Sequence, residues 1–392
     1  VLIGHTGDFH LADGPRFADT VQCLEWIATD GAGAGVGLWL VGGDLAGTTV
    51  PHVASVNERA ALASIFLRMA MTAPVVIVRG NHDVPQDIDV YGLLGGRHRI
   101  DVVGQPGMVV LENCLICCLP YPSKRHAVAG GAVKGSFDAQ RQAIEAELRT
   151  ILGGFRVGAA DARRAGRPSV GLMHICVGGS IVGGGEVLIG REIELSPHDL
   201  TELGLDAGCL SHIHKAQMMA PGWWYAGSPS AQNFGEQGDR KSYNLITVAP
   251  GAAPTCELRF TPARRLVTVD MAWAEQDGKW RWLADTVPLP ESMTDAEVRL
   301  RVRVPEAAAA TCPVERAVAR LHELGAHSVQ VDKRILPSER VRSEAIGLAR
   351  TTAEKVGAYW DSLESGQPDP AQRTRALTCL EKLEQGEPDA PA

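Results

Sequence analysis

Apolar runs and helical stripes alternate along the first two-thirds of the chain. The runs VLIG (1–4), VGLWLV (36–41), VVIV (75–78), MVVL (108–111), LICCL (115–119) and VGLM (170–173) predict short buried strands. Between several of them lie helical spacings. Phe17, Val21, Leu24 and Ile27 mark a helix over 15–29, and Leu62, Ile65, Phe66 and Met69 mark one over 57–71. Strands alternating with helices predict an α/β domain of layered sheets. The Gly-, Ala- and Arg-rich stretch 153–169 has weak periodicity and predicts a loop or a frayed helix end. Glycines at 178–179 and 183–185 predict a surface loop.

The pattern changes near Pro250. VTVDMAWA (267–274) and VRLRVRV (298–304) alternate with period two, as half-buried strands do. A helix over 313–324 follows, with Thr311 as its expected N-cap and Gly325 as its stop; SVQV (328–331) then predicts a strand. The last segment predicts a helix capped by Ser338 and ending near Gly366. Its apolar stripe runs Val341, Ala345, Leu348, Thr352, Val356, Tyr359, Leu363. A second helix is expected from Asp369-Pro370, carrying Leu377, Leu380 and Leu383. The expected division is 1–262 for the α/β domain, 263–337 for a small α+β unit and 338–392 for C-terminal helices.

Composition narrows the classes. With 392 residues, 45% hydrophobic and 21% charged, disorder as the main state is excluded and two or three domains are allowed. No run of about 18 apolar residues exists, so no membrane span is expected. A net charge of −8 argues against a wholly basic nucleic-acid binder. Contact with nucleic acid would have to be local or run through metal ions on acidic groups. The nine cysteines are scattered, and Cys114-x-x-Cys117 has no second pair to complete a zinc knot. Free, buried, reduced thiols are expected, and they imply a cytoplasmic setting. The opening residues show neither a basic n-region nor an apolar h-region, so no signal peptide is expected there.

The chemistry sits at the ends of the apolar runs. Asp8-Phe9-His10 follows the first, Asp44 the second, Arg79-Gly80-Asn81-His82-Asp83 the third; His174 ends VGLM, and Ser211-His212-Ile213-His214 follows an apolar run over 207–210. Ligands of open α/β sheets gather beyond the carboxyl ends of the strands. The donors are oxygen and nitrogen with no thiolate, a set that suits a pair of divalent ions such as Mn²⁺. Two such ions can share one carboxylate, and Asp44, with two glycines before it, is the natural bridge.

This ordered set resembles the calcineurin-like metallophosphoesterase superfamily, a sandwich of two sheets flanked by helices. The segment YAGSPSAQNFGEQGDRKSYNLITV (225–248) and HICVGGS (174–180) are similar to the SbcD/Mre11 nucleases within it. The resemblance implies Asp8, His10, Asp44 and His214 on one Mn²⁺, and Asp44, Asn81, His174 and His212 on the other. It implies that His82 binds no metal, faces the scissile phosphate and assists the leaving oxygen. Phosphodiester hydrolysis at DNA ends and hairpins follows. So do a capping domain that selects DNA, pairing of two subunits through the helix over 57–71, and C-terminal helices that bind an SbcC/Rad50-like ATPase. Two positions depart from the pattern. Gly47 stands where the family often has His or Asp, and Ser211 replaces a Gly before His-x-His. Two other readings compete: a phosphatase or small-molecule phosphodiesterase with the same metals, suggested by Arg79, and a non-enzymatic scaffold that tethers DNA ends. Lys124-Arg125-His126, Arg97-His98-Arg99, Arg163-Arg164 and Lys215 are weaker candidates for DNA backbone contact. Trp223, Trp224 and Tyr225 are expected to be core or strand-edge packing, and His52, His126 and His198 are given no role.

Overall fold

The computed structural model describes residues 1–47, 52–122, 137–182, 193–284, 292–337, 344–363 and 367–385. Its strands in chain order are β1 (Leu2–Thr6), β2 (Leu38–Val41), β3 (Val75–Val78), β4 (Ile100–Val103), β5 (Gly107–Val110), β6 (Leu115–Leu119), β7 (Ser169–His174), β8 (Cys176–Val177), β9 (Glu194–Leu195), β10 (Ala207–Ser211), β11 (Gln217–Ala220), β12 (Trp223–Tyr225), β13 (Ser242–Thr247) and β14 (Thr255–Phe260). One six-stranded sheet has the order β14-β13-β1-β2-β3-β4, and a second has the order β11-β12-β10-β7-β6-β5. β1 to β4 pair in parallel, with β13 antiparallel to β1. β6, β7, β10 and β12 also pair in parallel. The predicted sandwich of two sheets flanked by helices is therefore the observed fold.

Period two explains the layering. Leu38, Leu40, Val76 and Val78 point between the sheets, where they meet Ile116, Cys118, Val170, Leu172 and Cys209. Their neighbours Trp39, Val41, Val75 and Ile77 point the other way, onto Leu24 and Ile27 of the helix Phe17–Ala34 and Leu62 and Phe66 of the helix Val56–Ala70. Strands buried on both faces read as unbroken apolar runs, which is why the sequence shows them so plainly. Ser55 caps the second helix and accepts from the Glu58 N–H, while Glu58 accepts from the Ser55 N–H.

The outer face of the second sheet corrects the reading of 153–169. Residues 153–164 belong to a helix, Phe137–Arg164, that continues through Gly153 and Gly154, and only 165–168 form a turn before β7. Ile144, Leu148, Leu152, Phe155, Ala159 and Ala162 are buried. Their spacings of three and four make one face, and Ile144, Leu148, Leu152, Phe155 and Ala162 share a core cluster with Leu115, Met173, Trp223 and Tyr225 of the sheet. The small residues had diluted that stripe. Trp223 and Tyr225 are core residues, as expected. Gly178 and Gly179 form a turn, whereas 183–185 and Lys124 to His126 lie outside the described residues.

The chain divides into two compact units: 1–269 with 289–300 and 316–331, and 270–288 with 301–315 and 332–392. In β17 (Glu297–Pro305), which follows β15 (Leu266–Gln276) and β16 (Lys279–Ala284), Val298, Leu300, Val302 and Val304 are buried while the intervening arginines are not. β18 (Ser328–Leu336) outruns the four residues predicted. The helix between them is Val314–Glu323, so Thr311 is not its N-cap; the Thr311 hydroxyl donates to the Ala308 carbonyl. Gly325 ends it with φ +97°.

The single C-terminal helix expected from Ser338 is instead broken. Glu344–Leu348 and Thr352–Asp361 are separate helices. Thr351 forms a capping box with Glu354, and a capped start interrupts the preceding helix. Ser338, Val341 and Gly366 lie outside the described residues. The last helix, Pro370–Gln385, begins as predicted, with the Asp369 carboxylate accepting from the N–H groups of Ala371 and Gln372. All nine cysteines are free; seven are buried, Cys256 is half-buried and Cys379 is exposed. Among the described residues no helix is long and apolar enough to cross a membrane.

Candidate metal centre

Five parallel strands end at one rim. Asp8 and His10 follow β1, Asp44 follows β2, and Asn81 and His82 follow β3. His174 is the last residue of β7, and His212 and His214 follow β10. The chain bends sharply there. Asp8 (φ 51°), His10 (43°), Asp44 (51°) and His212 (102°) hold left-handed backbone angles. Such angles are uncommon outside glycine and cost of order 1–3 kcal/mol each, so the rim stores strain that the surrounding structure must fix.

Two devices do so. Asp83 is a clamp rather than a ligand. Its carboxylate accepts from the N–H groups of Asp44 (2.8 Å), Leu45 (2.9 Å) and Gly80 (2.8 Å). Burial pushes its pKa up to about 6, helped by the charge of Asp44 and opposed by those N–H groups. Ser211 is the second device. Its side chain fills a notch between Gly7 and Gly42, where a Cβ would come within 2.7 Å and 1.7 Å of its Oγ. Ser211 is accommodated because Gly7 and Gly42 opposite it have no side chains, and the positive φ falls on His212.

All seven predicted ligands come together. His10 Nδ1 lies 2.7 Å from the Gly47 carbonyl, and His174 Nδ1 lies 2.6 Å from the Gly42 carbonyl. His214 Nδ1 lies 3.0 Å from Glu236 Oε1. Each of these imidazoles spends its Nδ1 proton on an outward partner, which leaves the Nε2 lone pair facing inward. His10 Nε2 and His214 Nε2 then face each other at 3.0 Å. Asn81 Oδ1 lies 3.0 Å from His174 Nε2 and 3.1 Å from His212 Nδ1. Asp8 accepts from the His212 N–H at 3.0 Å. Asp44 Oδ2 stands between the halves, 3.6 Å from His10 Nε2 and 3.5 Å from His174 Nε2.

Asp8, His10 and His214 form one group whose ligand atoms lie within 4.8 Å of one another; Asp44, His174 and His212 form another. His82 joins a third with His10 and Asp44. Its N–H donates to Asp44 Oδ1 at 2.8 Å and its ring meets His10 edge-on at 4.6 Å.

The electrostatics ask for positive charge. Burial works to raise Asp44, yet His174, His10 and His82 outweigh it and hold the carboxylate below its usual range. Burial works to lower His174, but Asp44 and Asp8 push it up to about 9, so a cation would take its Nε2 in exchange for a proton. At His10 burial is the largest influence and, with the neighbouring His214 and His82, outweighs Asp44 and takes it down to about 4. Buried lone pairs that converge across 3 Å suit a cation between them. The oxygen and nitrogen donors suit a divalent ion of the Mn²⁺, Fe or Zn kind.

Sequence reasoning missed three contributors. Glu236 is buried and receives His214 Nδ1, Lys241 Nζ (2.5 Å) and the Gln232 N–H (3.1 Å). Burial works to raise it, and the bond from His214 and the charge of Lys241 bring it down to about 2. The acidic-then-basic stretch of 225–248 was the available signal. Tyr121 lays its ring 5.5 Å from His212 and 5.9 Å from His174. His52, given no role from sequence, bonds Glu58 at 2.8 Å. Of the weaker DNA candidates, Arg164 pairs with Asp161, Lys215 with Asp239 (3.6 Å), and Arg163 donates to the Gly204 carbonyl.

The family model for calcineurin-like phosphoesterases matches residues 1–216, the stretch that carries this geometry. No curated protein matches the chain. Among solved structures, the crystal structure of TT1561 of Thermus thermophilus is similar at 14% identity, covering 66% of this chain and 98% of that one, with a TM-score of 0.38.

Proposed function

The chain belongs to the calcineurin-like phosphoesterase family, and on that premise we propose that it is a metal-dependent DNA nuclease of the SbcD/Mre11 kind, cutting phosphodiesters at DNA ends and hairpins. The observation that carries the reading is the convergence of Asp8, His10, Asp44, Asn81, His174, His212 and His214 on one rim, with His82 beside them. Asp8, His10 and His214 would hold one Mn²⁺, and Asn81, His174 and His212 the other, with Asp44 common to both. When bound, the two ions supply charge that offsets the negative charge developing on the phosphoryl oxygens and lower the pKa of water.

The rest is done by this chain. Gly42 and Gly47 carbonyls and Glu236 hold the Nδ1 protons outward, so the inward nitrogens are the ones that would coordinate. Asp83 keeps the loops after β2 and β3 in register. His82 is tethered through its N–H to Asp44 and faces the same space as the ligands without belonging to either triad above. Its imidazole would hold the proton that the leaving oxygen takes.

The nuclease refinement is supported by the likeness of 174–180 and 225–248 to that group, the second containing the Glu236–Lys241 buttress of His214. An SbcC/Rad50-like ATPase would dock on the C-terminal helices, where Leu348, Tyr359 and Leu383 are exposed. Two copies would pair through the helix Val56–Ala70. Unpaired cysteines favour the cytoplasm.

The test compares linear and hairpin DNA with a phosphomonoester, all in Mn²⁺. DNA cleavage is expected, and His82→Ala should lower it by roughly 10²–10⁴-fold while Mn²⁺ content and DNA binding persist. Monoester turnover without DNA cleavage would transfer the protein to the phosphatases of the same family. Wild-type cleavage by His82→Ala would remove the assigned role.

A further inference from the structure

Building on the two-cation reading above, we propose that His52, anchored by Glu58, is a positioning residue for the His10 half of the centre. Gly47 lies three residues after Asp44 with φ +74°. A Cβ there would come within 2.0 Å of the His52 ring, so the imidazole occupies the space of a side chain at 47. The carbonyl of the same Gly47 is the one that receives His10 Nδ1.

His52 is pinned at two points. Its Nε2 lies 2.8 Å from Glu58 Oε2, whose side chain is only 2% exposed. Glu58 is fixed in turn by the N–H groups of Ser55 and Asp13, both at 2.8 Å. The N–H of His52 donates to the His82 carbonyl at 3.2 Å. With Glu58 accepting, the His52 proton sits on Nε2 and the ring has one orientation. That ring leaves Gly47 one position, and the Gly47 carbonyl then fixes the tautomer of His10. The relay is carboxylate, imidazole, carbonyl, imidazole. On the opposite side Glu236 holds His214 directly, so each of the two facing histidines is backed by a buried glutamate. Partners of this kind typically set metal affinity or activity by about 10–100-fold.

Calorimetric titration of Mn²⁺ into the full chain tests this, with thermal unfolding of the metal-free proteins as the check on folding. Wild type should bind two ions. His52→Ala should weaken one of them by about tenfold or more and leave the other within about twofold. His52→Gln, whose amide can still donate to Glu58, should recover most of the loss. Gly47→Ala should weaken the same ion in the wild-type background and cost less once His52→Ala has emptied the space. Unchanged isotherms for His52→Ala, or equal weakening of both ions, would overturn the clamp alone. A wild type that binds no Mn²⁺ would overturn the two-cation reading and the clamp with it.

Discussion

The rim of the sandwich and the C-terminal helices are built on opposite terms. At the rim, charged and polar side chains are buried, nearly every one is held by a named partner, and the backbone is bent against its preference. In the C-terminal helices the backbone is relaxed and capped by a Ser/Thr-type box, while leucines stand in water: Leu348 is 76% exposed and Leu383 61%. Rigid placement of unlike groups serves chemistry. An apolar face without cover is what the proposed docking of an ATPase would use.

Substitutions can break or sharpen that contrast. The largest effect is expected at the bridge. Asp44→Ala removes the one carboxylate shared by both halves, and hydrolysis in Mn²⁺ should fall to background while circular dichroism is unchanged; measurable turnover would mean that the halves work independently. Next is the core beneath the rim. Leu40 is fully buried between the sheets, and Leu40→Ala should cost about 2–5 kcal/mol in urea unfolding. Glu236→Gln comes third. It should weaken Mn²⁺ binding by about 10–100-fold through His214, read by titration, with little change in the fold. If affinity holds, the Glu236 contact is packing alone.

A smaller effect belongs to Asp30. Its carboxylate accepts from Arg259 and from the Tyr243 hydroxyl at 2.6 Å, and the bond from Arg259 holds it below the usual carboxylate range. A folded-state value below the unfolded one stabilises above the unfolded pKa and fades as pH falls through the folded one. The stability gap between wild type and Asp30→Asn should therefore be present at neutral pH and close under acid. It should be under about 1 kcal/mol because the pair is partly exposed. The smallest effect is at Leu348, where Leu348→Ser should leave stability within about 0.5 kcal/mol. A cost like that of Leu40 would show the face to be covered in the isolated chain.

The same contrast decides what could be read from the amino acids. Strands buried on both faces, such as β2 and β3, announce themselves as LWLV and VVIV. The edge strands β4 (IDVV) and β14 (TCELRF) stand out less, because charged residues interrupt both runs and most of their positions are only partly buried or exposed. The helix Phe137–Arg164 was missed at its C-terminal end for a different reason: alanine and glycine pack well but do not register as hydrophobic peaks. Ligands were legible because motifs at strand ends have fixed order. Their supports were not, because support is a matter of space. Nothing in the spacing connects Gly47 to His52, or His214 to Glu236; the fold makes those pairs.

The four left-handed residues carry one more consequence. Asp8, His10, Asp44 and His212 come from loops up to 204 positions apart, and the N–H of His212 reaches Asp8 only when both sheets are in place. A fragment ending before β7 would carry Asp8, His10, Asp44 and Asn81 but lack His174, His212 and His214, so it should hold a cation more weakly than the closed sandwich. Cation affinity should then be a gauge of how completely the sandwich has closed. A lesion buried far from the rim should be detectable first as a leaky chelator, before any loss of secondary structure is seen.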